Sequence, residues 1–269
     1  MKSRSPVNSD VERYKYRQAS MLVSKPRTSS KSFLRFIERM RVTANHMRVV
    51  NKALSEMRSR KTEGGFSHQD RQIANHAIAR NAEIAVQFAY GHFIEYLRAV
   101  LREMYYKRPL EIVGKAPSTL AYHELVKLGS YEAICNYMVD QVFKSIEGKR
   151  NTRALLLKIL DKTDVSITEE VMANALMYVE VRHLLVHNTG KVDSDFAARY
   201  GSRLKVREGQ TLKGNIGGSK DALKAIANLC LEIDQGLQKG AFIDAVGGKQ
   251  LRESSQDETI NLAIGEEFL

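Results

Sequence analysis

The sequence predicts a mainly α-helical protein. Three observations carry that expectation: long segments whose apolar residues recur at three-four spacing, polar caps or glycines at their ends, and almost no alternating pattern of the kind strands need. Composition agrees, with 43% hydrophobic and 27% charged residues over 269 positions, as in ordinary globular domains large enough to bury a core. No apolar run reaches the roughly 20 residues that span a bilayer, and "MKSRSPVNSD" lacks an apolar signal core. Cys135 and Cys230 both fall inside helical patterns and read as reduced packing residues. A cytoplasmic protein without membrane partners is expected.

The elements follow in order. Residues 1–32 are polar and basic, with Pro6 and Pro26, and read as a flexible arm. Over 33–61, Phe33, Ile37, Met40, Ala44, Met47 and Leu54 form one apolar stripe, while Arg35, Arg39, Arg41, Arg48 and Lys52 fill other faces. Residues 1–61 hold 16 Lys and Arg against 4 Asp and Glu; that balance of +12, within a chain total of +11, leaves −1 for the rest. Such asymmetry points to a polyanionic partner, and the four arginines are candidate nucleic-acid contacts. A solvated face with a charged tail is the plainer alternative.

After "KTEGGFSH" a long second helix opens at a capped Ser67 and ends at Pro109. Its expected buried stripe is Ile84, Phe88, Ile94, Leu97, Leu101 and Met104. "LAYHELVKL", "SYEAICNYMVDQVFKSIEG" and "NTRALLLKILD" supply shorter helices. "SITEEVMANALMYVEVRHLLVHN" follows, with Ser166 and Glu169 as a capping box. "LKVREGQTLKGN" alternates around Gly209 like a small β-hairpin. A last helix, "SKDALKAIANLCLEIDQGLQ", is capped at Ser219, and 239–269 forms a tail with a possible short helix. The glycines of "GNIGGSKDALKAI" read as a turn and helix cap rather than a phosphate loop.

One segment conflicts with its setting. "VEVRHLLVHNTG" ends a helix that is apolar nearly all round, yet carries Glu180, Arg182, His183 and His187. Cations at a helix C-terminus can meet the dipole while their stems snorkel outward. Glu180, His183 and His187 share an arc of roughly 60° and have ligand spacing, although Arg182 would repel a metal. Anion chemistry is the third reading: arginine presents a donor fork to phosphate, and histidine exchanges protons near neutrality. Arg182 and His187 differ by about 140° on the helical wheel, so either Arg182 curls toward His187 or a twofold-related helix completes the site. His92 with Glu95, and Tyr105, Tyr106 and Lys107, are further candidates for contact with that site or with bases.

"VRHLLVHNTGKVDSDF" resembles the Arg-spacer-His motif of the HEPN superfamily, helical domains of prokaryotic toxins and defence ribonucleases, with Arg182 and His187 as the core pair and His183 at the polar position after the Arg. "GHFIEYLRAVLREMYYKRP" resembles the long helix that precedes the motif, and the likeness runs over about Ser67 to Leu237. The resemblance implies a multi-helix bundle over 67–238 and metal-independent RNA cleavage in a homodimer, without a cofactor. His187 would act as general base or acid at the ribose 2′-OH, Arg182 would stabilise the scissile phosphate, and His183 would orient either group. Products would be 2′,3′-cyclic phosphate and 5′-OH ends. It also implies a toxin or anti-phage effector restrained by an antitoxin or other regulatory protein. The alternative is a non-catalytic HEPN-like module that binds RNA, nucleotides or a protein.

Overall fold

The computed structural model describes residues 28–59, 68–109, 121–147, 152–161, 163 and 165–246. Residues 1–27 of the arm expected over 1–32, the Ser67 cap and most of the C-terminal tail lie outside the described residues; the end of that arm, from Lys31, is already the first helix. Eight helices are present among those described: α1 (Lys31–Ser59), α2 (His68–Lys107), α3 (Tyr122–Leu128), α4 (Tyr131–Glu147), α5 (Thr152–Leu160), α6 (Glu169–His187), α7 (Ser194–Leu204) and α8 (Ile216–Lys239). The described residues are mainly helical, with only isolated β-bridges among them. No helix among the described residues is long and apolar enough to cross a membrane.

The 40-residue α2 is the axis of the bundle, with α1, α4, α6 and α8 packed around it. Phe33, Ile37, Met40, Ala44 and Met47 of α1 are buried as their spacing predicts, and Phe36 joins them. The stripe of α2 is as expected at Leu97, Leu101 and Met104, which are buried, with Ile94 packed against the core, and departs from expectation in its first half. Ile84 and Phe88 are 38% and 51% exposed, while Ala82, Ala85, Ala89, Phe93, Tyr96 and Val100 face inward. Alanines let neighbouring helices approach closely, so the face that packs is set by small residues rather than by the largest ones.

Ser30 caps α1, its Oγ accepting from Phe33 N at 3.0 Å. It is itself anchored to the fully buried Asp234 of α8, which accepts from Ser30 N at 3.0 Å and from Ser30 Oγ. Gln238 Nε2 at 2.6 Å and Tyr96 OH at 3.4 Å donate to the same carboxylate. A buried carboxylate is tolerable when donors surround it; here the donors come from the start of α1, from α2 and from α8. Burial raises the Asp234 pKa, against the lowering effect of those hydrogen bonds.

Three local expectations are corrected. The hairpin around Gly209 does not form: α7 runs through Leu204, a left-handed Lys205 ends it, and a turn carries the chain to Gln210. The returning arm pairs instead with Gly190–Val192, just after α6, around a single bridge between Lys191 and Thr211. The Ser166 capping box is absent; Thr168 is the cap residue of α6, and its N–H donates to Glu232 of α8 at 2.8 Å. The cap of α8 is Asn215, accepting from Gly218 N at 2.7 Å, which places Gly217 and Gly218 inside the first turn. Ser219 is buried and turns its hydroxyl back to Ile216 O at 2.9 Å.

Candidate functional site

Helix α6 is buried through Met172, Ala175, Leu176, Met177 and Val179, as a helix apolar on most sides must be. Its last two turns leave the main core. Leu184 belongs to a second, smaller cluster with Val192 and Phe196, closed by Val181, Tyr200 and Leu212. Helix α7 therefore covers one flank of the end of α6. The stop is built by Asn188, then Thr189 and Gly190 in left-handed conformations (φ 49° and 79°). Gly190 N donates to Leu184 O at 2.9 Å, and Gly190 O accepts from Leu212 N at 2.8 Å. A Cβ at Gly190 would collide with Leu212 O, so glycine is required both for the turn and for the close approach.

On this pinned end the four polar groups separate into three directions. Glu180 faces α7 and pairs with Arg199 at 3.5 Å. His183 and His187, one turn apart, bring their rings together with centroids 4.7 Å apart; His187 is exposed and His183 half-buried. Arg182 turns to α2, its guanidinium carbon 4.7 Å from the centre of the Tyr90 ring. That cation–π contact with a half-buried guanidinium is worth about 0.5–2 kcal/mol.

Arg182 is otherwise uncompensated. Its Nε is buried without a hydrogen-bond partner, and no ion pair to it is formed among the described residues. A guanidinium in this state retains its donor capacity for an anion. No hydrogen bond joins Arg182 to His187 within the chain, in keeping with their divergent directions on the wheel. Nor do Glu180, His183 and His187 assemble as a metal-holding group among the described residues; Glu180 is drawn to Arg199 instead.

The other candidates are placed as follows. His92 and Glu95 face α1, not α6: His92 Nε2 lies 3.1 Å from Thr43 Oγ1, and Glu95 pairs with Arg39. Burial and the nearby Arg39 lower the His92 pKa. Tyr105 is buried, Tyr106 packs against Tyr131 with ring centroids 5.4 Å apart, and Lys107 pairs with Asp244.

The arginines of α1 do not make one patch. Arg39 is bound to Glu95 and Arg41 to Glu38 at 2.7 Å, while Arg35 and Arg48 are exposed and Arg48 reaches only Asn45 at 3.5 Å. By their spacing, Arg35 and Arg39 lie on one side of the helix, and Arg41 and Arg48 on the other.

The sequence reading passed over α7, although Asp193 caps it by accepting from Phe196 N at 2.8 Å. Phe196, Tyr200 and Leu204 at three-four spacing were the available signal. It also passed over a groove between α6 and α8, lined by Asn174, Tyr178, Asp221, Lys224 and Asn228 with Val171 and Ala225. No protein-family model, curated protein or solved structure matches this chain.

Proposed function

We propose that this protein is a HEPN-type endoribonuclease that cuts RNA through the ribose 2′-OH, leaving 2′,3′-cyclic phosphate and 5′-OH ends. The observation that supports it best is Arg182: a half-buried guanidinium without a carboxylate partner among the described residues, held by Tyr90 at the end of an apolar helix that also carries two adjoining histidines. Burying a cation without compensation is unfavourable, and a phosphate would relieve that cost.

In this reading Arg182 stabilises the charge that develops on the phosphate. His187, solvent-accessible, takes the 2′-OH proton or protonates the leaving 5′-oxygen. His183, against the His187 ring, orients it. Because Arg182 and His187 diverge within a chain, the catalytic pair is composed across two copies, Arg182 of one meeting His187 of the other. Val186, 40% exposed on this end of α6, and Phe88 and Ile84 on α2 offer apolar surface for such pairing. The protein would act as a toxin or phage-defence effector, held in check by an antitoxin or regulatory partner, with Arg35 and Arg48 assisting RNA recruitment.

The test is cleavage of RNA by purified protein in EDTA, with 2′-deoxy substrate as the control. Loss of cutting in His187→Ala with fold and oligomer preserved supports the proposal; cutting that needs added divalent metal opposes it.

One observation favours a second reading. Arg182 rests on Tyr90 and His187 on His183, contacts that a non-catalytic module binding RNA, nucleotides or a protein would also satisfy. Salt-sensitive RNA binding without any cleavage would select it.

A further inference from the structure

We propose that the groove between α6 and α8 is a nucleotide subsite, taking one nucleobase and its phosphate next to the phosphate gripped by Arg182. The proposal rests on the ribonuclease reading for its place along the RNA, but not for the binding itself.

Five polar side chains from two helices converge on the groove: Asn174 and Tyr178 from α6, and Asp221, Lys224 and Asn228 from α8. None of the five makes a hydrogen bond or ion pair among the described residues, so their donors and acceptors face the groove uncommitted. Asp221, Lys224 and Asn228 are exposed and Asn174 and Tyr178 half-buried, so the five stand open to water or to a ligand in the groove. Tyr178 is half-buried, with Asp221 and Arg203 near enough to act on its hydroxyl in opposite directions. Val171 and Ala225 supply apolar lining between the polar groups. A concave surface on which polar groups converge beside some apolar lining can hold a small polar ligand.

The groups match a nucleotide better than a sugar or a simple anion. Carboxamides on opposite walls can each offer a donor and an acceptor to the edge of a base. Tyr178 provides a ring for stacking. Lys224 is a point charge suited to phosphate, and Asp221 accepts from an exocyclic amino group while repelling a second phosphate.

Position then ties the groove to the proposed cleavage site. Asn174, Tyr178 and Arg182 follow one another at four-residue steps on α6, each step rising about 6 Å along the helix. A single strand laid along this face would place consecutive units against the groove and against Arg182.

The experiment uses the full chain and measures the binding of AMP, GMP, CMP and UMP, of inorganic phosphate, and of single-stranded RNA tetranucleotides by calorimetry. At least one nucleotide is expected to bind about tenfold tighter than inorganic phosphate, and Tyr178→Ala and Asn228→Ala should each weaken it about tenfold. In cleavage assays the same variants should raise KM for RNA with kcat largely retained. Asn228 is exposed, so its variant keeps the test valid if Tyr178→Ala fails to fold.

Nucleotide binding lost in Asn228→Ala by a protein that never cuts RNA would sustain the subsite and overturn the ribonuclease reading. RNA cutting with an unchanged KM in both variants, and no nucleotide preferred over phosphate, would overturn the subsite alone. A tetranucleotide that binds no tighter than its mononucleotide would assign the groove to a free nucleotide and overturn its place on the RNA path.

Discussion

Replacing Asp234 by alanine should loosen the attachment of α1 to the bundle. The carboxylate accepts from Ser30 N at 3.0 Å, Ser30 Oγ, Gln238 Nε2 at 2.6 Å and Tyr96 OH at 3.4 Å. These donors fare differently once it is gone. Tyr96 OH keeps Cys230 O at 3.2 Å, and Gln238, half-buried, can turn to water. Ser30 N–H, in a fully buried residue, is left without an acceptor, at a cost of about 1–3 kcal/mol. Ser30 Oγ also loses the partner that orients it toward Phe33 N, and a weakened cap costs about 1 kcal/mol. The total is about 3 kcal/mol, or about 6–12 °C in Tm for a domain of this size.

Asp234→Asn preserves shape and one acceptor, so it should lose less. It also isolates the charge. Burial raises the Asp234 pKa in the folded state; the stabilisation linked to protonation is therefore complete below the ordinary carboxylate pKa and is lost as pH rises through the folded value. The Asn variant should flatten that part of the pH profile. The assay is urea unfolding followed by circular dichroism between pH 4 and 8, with hydrogen exchange at the first turn of α1. An alanine variant as stable as the parent, with unchanged exchange at that turn, would refute the reasoning.

Other outcomes follow from the same geometry. Gly190→Ala forces a side chain onto Leu212 O at a positive φ, so it should destabilise the end of α6 by about 1–3 kcal/mol and depress activity; thermal unfolding and RNA cleavage check this. His92 has a lowered pKa, so it should remain neutral at pH values where exposed histidines charge. Its contribution to stability is present above the ordinary histidine pKa and lost as pH falls through the folded value; NMR titration of its ring reads this directly. Replacing Arg35 and Arg48 together by alanine should lower RNA affinity and reduce the salt slope by up to about 2. The same change at Arg39 and Arg41, already ion-paired, should matter less.

The helical class and most helix positions were legible because apolar periodicity in α1, α4, α5 and α8 is strong and α6 is a long apolar run closed by Gly190. What was misread shares a cause. Local pattern does not say which neighbour a segment meets: "LKVREGQTLKGN" alternates, but its partner is Gly190–Val192 rather than its own other arm. The stripe of α2 was drawn through Ile84 and Phe88 because large side chains dominate a hydrophobic pattern, whereas Ala82, Ala85 and Ala89 decide how closely a helix can approach. Helix caps were assigned to the nearest serine, while Asn215 caps α8 through a local bond to Gly218 N and Ser30 is set in place by Asp234, far away in the chain.

At the candidate site, the conflict between Arg182 and its apolar helix was visible in sequence, and its two resolutions were not. That Tyr90 would lie under the guanidinium and Arg199 would take Glu180 are long-range facts. The divergence of Arg182 and His187 was readable from their spacing alone, and it makes pairing of two chains the condition for a shared pocket.

That condition gives the most direct measurement. Arg182→Ala and His187→Ala, each inactive when purified alone, should regain up to about a quarter of parental RNA-cleaving activity in EDTA when mixed and allowed to exchange subunits, because one of the two composite sites in each heterodimer is then intact. If either variant alone still cuts RNA at the parental rate, or parental protein cuts none, the central claim is contradicted.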